Sequence, residues 1–360
     1  MPRTGFTPVY LLLILLLLAG LGCQLANRLP AALEALETAP ATPVFEGQAG
    51  PTALPPETRP TGENPESPAP TLEAQPGGPE PTAATAEAIP LEGDACPQEM
   101  CVLDGSFLLA RPIGGDGRNT IVAASRYGSY HRATKNAQTG VYFLNSAGTP
   151  VLAAADGTVA FAGNDREVPM GPFKNLYGRV VILKHTFSGL EKPLFTVYAH
   201  LSDIEVEKGD DVYTGQEIGQ VGSSGSATGS TLLFEVRLGK NHFQNTRNPE
   251  LWLKPLKDGD GRRMGAIAGR IVDKKGKPIQ VGNIVLEQLA GPGLPAIDQF
   301  YLETYTGRRQ VGQPPWGENF AAGDLPPGEY QISFMGDGVQ TQVVTVEPGR
   351  LTLVTIVVGK

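Results

Sequence analysis

The sequence predicts an all-β protein, an antiparallel β domain followed by a small β-sandwich, both carried behind an N-terminal membrane segment and a disordered linker. Three observations support this. From residue 105 onward the apolar residues fall in short period-two runs bounded by Gly and Asp. No helical period lasts long enough to supply crossover helices. And 45 Gly with 32 Pro among 360 residues disfavour a helical bundle.

The first segment, residues 1–28, places Arg3 before an uncharged stretch from Thr4 to Asn27 whose centre is mostly leucine. Such a stretch exports or anchors a chain. It ends in Gly20-Leu21-Gly22-Cys23, which resembles a bacterial lipoprotein signal with Cys23 as the lipidated first residue. The stretch is also long enough to span a bilayer as an uncleaved anchor, and both alternatives stay open. Either one tethers the chain to a membrane through its N-terminus, at the cell surface or in the periplasm. In that oxidising setting Cys96 and Cys101 are expected to pair as a disulfide.

Residues 29–93 follow as a linker. They hold 14 of the 32 prolines and one aromatic residue, Phe45, too little apolar surface to offset the entropy of ordering. Sixty-five such residues reach about 45 Å as a coil and up to about 200 Å in extended polyproline form. Ten Glu and one Arg give this segment a net charge of −9, leaving +1 for the rest of a chain whose total is −8. The acidity therefore belongs to the linker. A basic nucleic-acid-binding protein is excluded, and no GxxxxGK[ST] phosphate loop is present.

Residues 94–256 form the middle domain, with strands expected at 151–154, 158–162, 180–184, 194–199, 217–221 and 232–237. A charged hinge, 257–263, leads to a last domain, 264–360. Its strands are expected at 266–272, 283–289, 300–304, 329–334, 339–346 and 351–358, and this regular spacing favours a sandwich.

The middle domain resembles the lysostaphin/LytM-type zinc endopeptidases, which cut peptide bonds in peptidoglycan. The resemblance is carried by GTPVLAAADGTVAFAG (148–163), YGRVVILKH (177–185), YAHLS (198–202), KGDDVYTGQEIGQVGSSGSATG (208–229), LLFEV (232–236) and NPELWL (248–253), in this order and spacing. It implies a zinc held by the His and Asp of an HxGxD motif and by the second His of an HxH motif. The first slot falls on Gln138-Thr139-Gly140-Val141-Tyr142 and the second on Thr231-Leu232-Leu233. The ligand positions therefore hold Gln138, Tyr142 and Leu233, while Thr231 replaces a catalytic histidine. His200, in YAHLS, matches the one active-site histidine retained.

A hydrolytic zinc needs three N, O or S donors and an open position for water. Leu233 offers no donor, Gln138 only a neutral amide oxygen, and Tyr142 a phenol with an ordinary pKa near 10. No metal or other cofactor is expected, zinc entering only under an alternative in which His131, His185 and His200 rearrange into an active site. Arg126, Tyr127, Tyr130, Lys135, Gln138, Tyr142, Tyr177, His185, His200 and Thr231 are expected to border the groove, where Tyr and Arg suit sugars and peptide carboxylates. Ser223, Ser224, Ser226 and Ser230 lack an arranged acid and His for a serine nucleophile. Glu235 is expected to be structural, and His242 an exposed turn residue.

The last domain resembles the carboxypeptidase regulatory-like (transthyretin-like) sandwiches, on GAIAGRIVDKKGKPIQVGNIVLE (265–287) and LPPGEYQISF (325–334). That implies a non-enzymatic module. Together these features describe an exported protein with a catalytically inactive groove that binds peptidoglycan or a cell-wall hydrolase. The alternatives are an active zinc peptidase and a passive spacer or adhesive module.

Overall fold

The structure is a computed structural model, and it describes residues 96, 99–105, 107–131, 136–305, 312 and 317–359. The signal or anchor with Cys23, the linker, and Lys135 lie outside the described residues, as do the side chains of Tyr130 and His131. Among the described residues there is no α-helix, and no helix is long and apolar enough to cross a membrane.

Nineteen strands are described. β1 (Met100–Asp104) stands alone before the groove domain, which contains β2 (Tyr130–His131), β3 (Asn136–Ala137), β4 (Val141–Leu144), β5 (Pro150–Leu152), β6 (Gly157–Asn164), β7 (Arg179–His185), β8 (Leu194–Ile204), β9 (Asp211–Val212), β10 (Glu217–Val221), β11 (Thr231–Leu238) and β12 (Thr246–Arg247). The last domain has β13 (Gly265–Asp273), β14 (Ile284–Leu289), β15 (Ala296–Leu302), β16 (Phe320–Leu325), β17 (Gly328–Gly336), β18 (Gly338–Val346) and β19 (Arg350–Val358).

In the groove domain the main path runs β12-β11-β8-β7-β6-β9, entirely antiparallel; β4 adds to β11, and β10 joins β8 to β5. β7 and β8 are long apolar runs because both of their faces are covered. One face packs Val181, Leu183, Tyr198 and Phe234 into the main core, and the other packs Val180, Ile182, Val197 and Leu233 into a smaller cluster beneath the groove.

The last domain is a sandwich of two four-stranded sheets, β1-β19-β13-β16 and β15-β14-β17-β18. Its core holds Ile267, Ile271, Leu286, Phe320, Ile332 and Val344. The first sheet is buried on both faces, since Ala266, Ala268, Ala321, Leu351 and Leu353 point away from that core and pack with Leu251, Trp252 and Leu253 of the groove domain. The two domains thus share a hydrophobic core.

β1 precedes the groove domain in the chain but pairs with β19 over five residue pairs, from Met100 with Val354 to Asp104 with Arg350. Cys96 and Cys101, joined as a disulfide with Cα atoms 5.8 Å apart, close the loop that leads into it. Residues 257–263 form a closed turn: Lys257 bridges Arg263, and the Asp258 carboxylate accepts from the Arg262 backbone and guanidinium at 2.8 and 2.9 Å. The segment is pinned by its own hydrogen bonds, and Asp324 Oδ1 accepts from Leu256 N at 2.9 Å and from Arg111 at 2.5 Å just before it.

Candidate functional site

Three neighbouring strands set the floor of one pocket. Tyr142 of β4 lies opposite Leu233 of β11, which lies opposite Ala199 of β8; two residues along, Leu144 is opposite Thr231. His200 follows Ala199, and Gln138 enters β4. Gln138, Tyr142, His200, Thr231 and Leu233 accordingly line a single cavity of about 330 Å³. These are the positions that the motif spacing assigned to the site.

The walls come from irregular segments. Val122 and Ser125 flank β4 on one side, where Val122 N donates to Tyr142 O at 3.0 Å. The β6–β7 loop contributes Pro172, Phe173 and Leu176, and the β10–β11 loop contributes residues 226–229. The base of the first loop is held by Asp165, whose carboxylate accepts from Tyr177 N and Gly178 N at 2.9 and 3.0 Å. The second is held by backbone approach. A Cβ on Gly225 would lie 2.4 Å from Gly178 N, one on Gly178 would lie 2.3 Å from Gly225 N, and both glycines have positive φ.

That contact places the Ser224 carbonyl 2.8 Å from His200 Nδ1. A carbonyl only accepts, so Nδ1 carries the proton and Nε2 is the acceptor nitrogen of the ring. His200 has φ +68°, held there by its backbone N–H donating to Tyr177 O at 2.9 Å. Burial pushes its pKa below the ordinary histidine value, so the ring is neutral near pH 7. Tyr142 stacks on it, with ring centroids 6.1 Å apart. Burial, with Glu235 nearby, pushes the Tyr142 phenol up to about 12, and it keeps its proton.

Beside Leu233, on the same face of β11, lies a buried polar cluster. Glu235 Oε1 accepts from Thr139 and Tyr177 hydroxyls at 2.5 and 2.9 Å, and Oε2 accepts from Arg237 Nη2 at 2.8 Å. Glu235, Arg237 and Tyr177 are fully buried. Tyr177 therefore supports the floor instead of bordering the groove. Arg126 pairs with buried Glu250, and Tyr127 is buried with its hydroxyl donating to Thr246 O at 3.1 Å and its ring edge-on to Tyr305. Both belong to the contact between domains. His185 is buried at the other end of β7, with Nδ1 donating to Asp156 O at 2.8 Å and Nε2 2.7 Å from the Thr196 hydroxyl. It pairs with Leu194, six residues and about 20 Å along β8 from His200, so the two histidines share no site. His242 caps a short turn by accepting from Gln244 N.

The donor set does not fit a hydrolytic zinc. The position of one ligand is a leucine, a second is a phenol that holds its proton, and the third is a neutral amide. Among the described residues no three His, Cys, Asp or Glu side chains are grouped to hold a metal. The pocket lining contains no charged side chain.

Phe173, Leu176, Leu144 and Val122 were not anticipated as site residues. The first two lie in a loop without apolar period, and Leu144 becomes a wall only through its pairing with Thr231.

The pocket thus lies across β4, β11 and β8 of an antiparallel β domain. Residues 136–245 match the profile of peptidase family M23, and the chain carries an M23 domain of the LytM type. It is 32% identical over 148 residues to the cell division protein DipM of Caulobacter vibrioides, covering 41% of this chain and 21% of that one. It is 39% identical over 100 residues to the DD-carboxypeptidase/endopeptidase Mpg of Neisseria meningitidis, covering 28% of this chain and 20% of that one. It is 31% identical over 105 residues to the murein hydrolase activator NlpD of Escherichia coli, covering 29% and 24%. The chain thus spans about a fifth to a quarter of the length of these curated relatives. Among solved structures, the catalytic domain of lysostaphin from Staphylococcus simulans aligns at 29% identity over 34% of this chain and 85% of that one, with a TM-score of 0.29.

Proposed function

We propose that this is an exported, membrane-tethered cell-envelope protein whose M23 domain binds without cutting. Its groove takes peptidoglycan or a protein of the cell-wall machinery, and through that binding it regulates a separate cell-wall hydrolase. The observation that carries this reading is the pocket itself: the scaffold is built and open, while its ligand positions hold Gln138, Tyr142 and Leu233. With no donor set, nothing in the pocket lowers the pKa of an attacking water or polarises a scissile carbonyl. His200 Nε2, the Tyr142 hydroxyl and apolar walls remain, a lining suited to holding a neutral group. One relative carries the name murein hydrolase activator, which supports a regulatory role.

The test is direct. Purified protein, incubated with zinc and dialysed, should retain less than stoichiometric metal and release no muropeptides from isolated sacculi. Stoichiometric zinc together with release would overturn the reading.

A further inference from the structure

The two sheets of the last domain present four edges, and three of them are closed to further pairing. β16 is covered by the groove domain, where Glu250 accepts from Gly323 N at 2.8 Å. β1 has only five residues, ends in Asp104 and follows the disulfide loop. β15 is preceded by Pro295, carries an exposed Asp298, and is bulged against β14 between Gln288 and Leu289. Short length, charge, proline, bulges and cover are the devices that stop a sheet edge from recruiting another strand. β18 has none of them. Its nine residues, GVQTQVVTV, contain no charge and no proline, and they pair with β17 without a register shift. Among the described residues no strand lies on its other side, so alternate residues turn their N–H and C=O groups outward.

The side chains beside that edge are apolar and exposed. Tyr330, Ile332, Phe334, Val344 and Val346 face the core of the sandwich, so alternation puts Ser333, Met335, Val339, Thr341 and Val343 on the outer face. Met335, Val339 and Val343 are 68%, 67% and 45% exposed. Met335 lies opposite Val339 and Ser333 opposite Thr341, which carries these side chains in rows up to the free edge.

A row of backbone donors and acceptors at this spacing is matched by an extended strand. The chain's own linker is a poor match, since its 14 prolines cannot donate and its charge of −9 would meet Asp337 and Glu347 at the two ends of β18. β18 fits a second copy of itself. With a two-fold axis through Thr341, antiparallel pairing sets Val339 opposite Val343 of the second copy, Thr341 opposite its own counterpart, and Asp337 opposite Thr345. An apolar row of Met335, Val339 and the facing Val343 then lies on each side of a hydroxyl row of Ser333 and Thr341 from both copies. With the axis at Gln342 instead, Val339 would oppose Thr345 and Asp337 would oppose Glu347, placing like charges together at both ends. We propose that β18 is a homodimerisation edge, at which two copies of the chain pair antiparallel about Thr341 and join their outer sheets into one sheet of eight strands. The pairing is isologous, closes on itself and gives an assembly with two M23 pockets, whatever fills them.

Sedimentation equilibrium of the full chain in detergent tests it. The native protein should have twice the mass of one chain. Val343→Lys puts a charge at an exposed position that faces Val339 of the second copy, and should raise the dissociation constant about tenfold or more with the circular dichroism unchanged. Residues directly opposite lie about 4.5–5.5 Å apart, within disulfide reach, so Thr341→Cys should cross-link to itself in oxidised glutathione while Gln342→Cys should not. The native chain, with its own three cysteines, is the control. Cross-linking decides the matter even where the lysine variant fails to fold. A monomeric native chain, a dimer unmoved by Val343→Lys, or cross-linking through Gln342→Cys in place of Thr341→Cys would each overturn the proposal.

Discussion

Two histidines on neighbouring strands are buried with depressed pKa values, and both effects come first from desolvation. A base whose folded pKa lies below its unfolded value contributes stability that is present above the unfolded pKa, near 6.5, and is lost as pH falls below it. The melting temperature should therefore drop between pH 7 and pH 5, and His185→Gln should flatten that dependence. A pH-independent melting temperature in the native protein would contradict the burial argument. The ligand positions give a second test at this scale. Tyr142 and Leu233 are directly opposite on paired strands and Gln138 lines the same cavity. Gln138→His/Tyr142→Asp/Leu233→His should convert a protein that loses zinc on dialysis into one that keeps about one equivalent, measured by elemental analysis.

The loops and strands act through a few fixed contacts. Gly225 and Gly178 hold the β10–β11 loop against the β6–β7 loop, and the Ser224 carbonyl that orients His200 depends on them. Gly225→Ala requires both a strained φ and displacement of backbone, so it should cost about 1–3 kcal/mol in denaturant unfolding and shift the His200 ring resonances. Glu250 accepts from Gly323 N of β16 at 2.8 Å and pairs with Arg126, which follows the segment that walls the pocket. Glu250→Ala leaves the partly exposed Arg126 guanidinium and the buried Gly323 N–H without their shared acceptor and should destabilise by about 1–3 kcal/mol, read from the urea midpoint. The period-two runs located β7, β8, β10, β11 and β17 to β19 well, because each presents apolar side chains at strand spacing. They missed β16, whose FAAGDL is small and glycine-interrupted, and they placed β15 late, because Ala296 to Gln299 are exposed.

At the scale of the molecule, the β fold of the middle domain and the five positions lining the pocket were legible through the family resemblance, whose motifs run in order from residue 148 to 253. The partners of Arg126, Tyr127 and Tyr177 were not, because each is settled by contacts distant in sequence: Glu250 lies 124 residues from Arg126, and Thr246 119 from Tyr127. Nor could residues 100–104 be assigned to the last sheet by local pattern, as their partner strand lies some 250 residues on. The shared core of β13, β16 and β19 with Leu251 to Leu253 predicts that both domains unfold together. Calorimetry should show one transition with matching calorimetric and van't Hoff enthalpies; two resolved transitions would mean that the domains are energetically separate.

The pairing of β1 with β19 also sets how force travels. The first 95 residues join the described body at Cys96, so tension applied through them is taken first by five antiparallel residue pairs at the edge of the sandwich. A pull from the N-terminal side therefore reaches the groove only through β1, whose five pairs with β19 carry the same load.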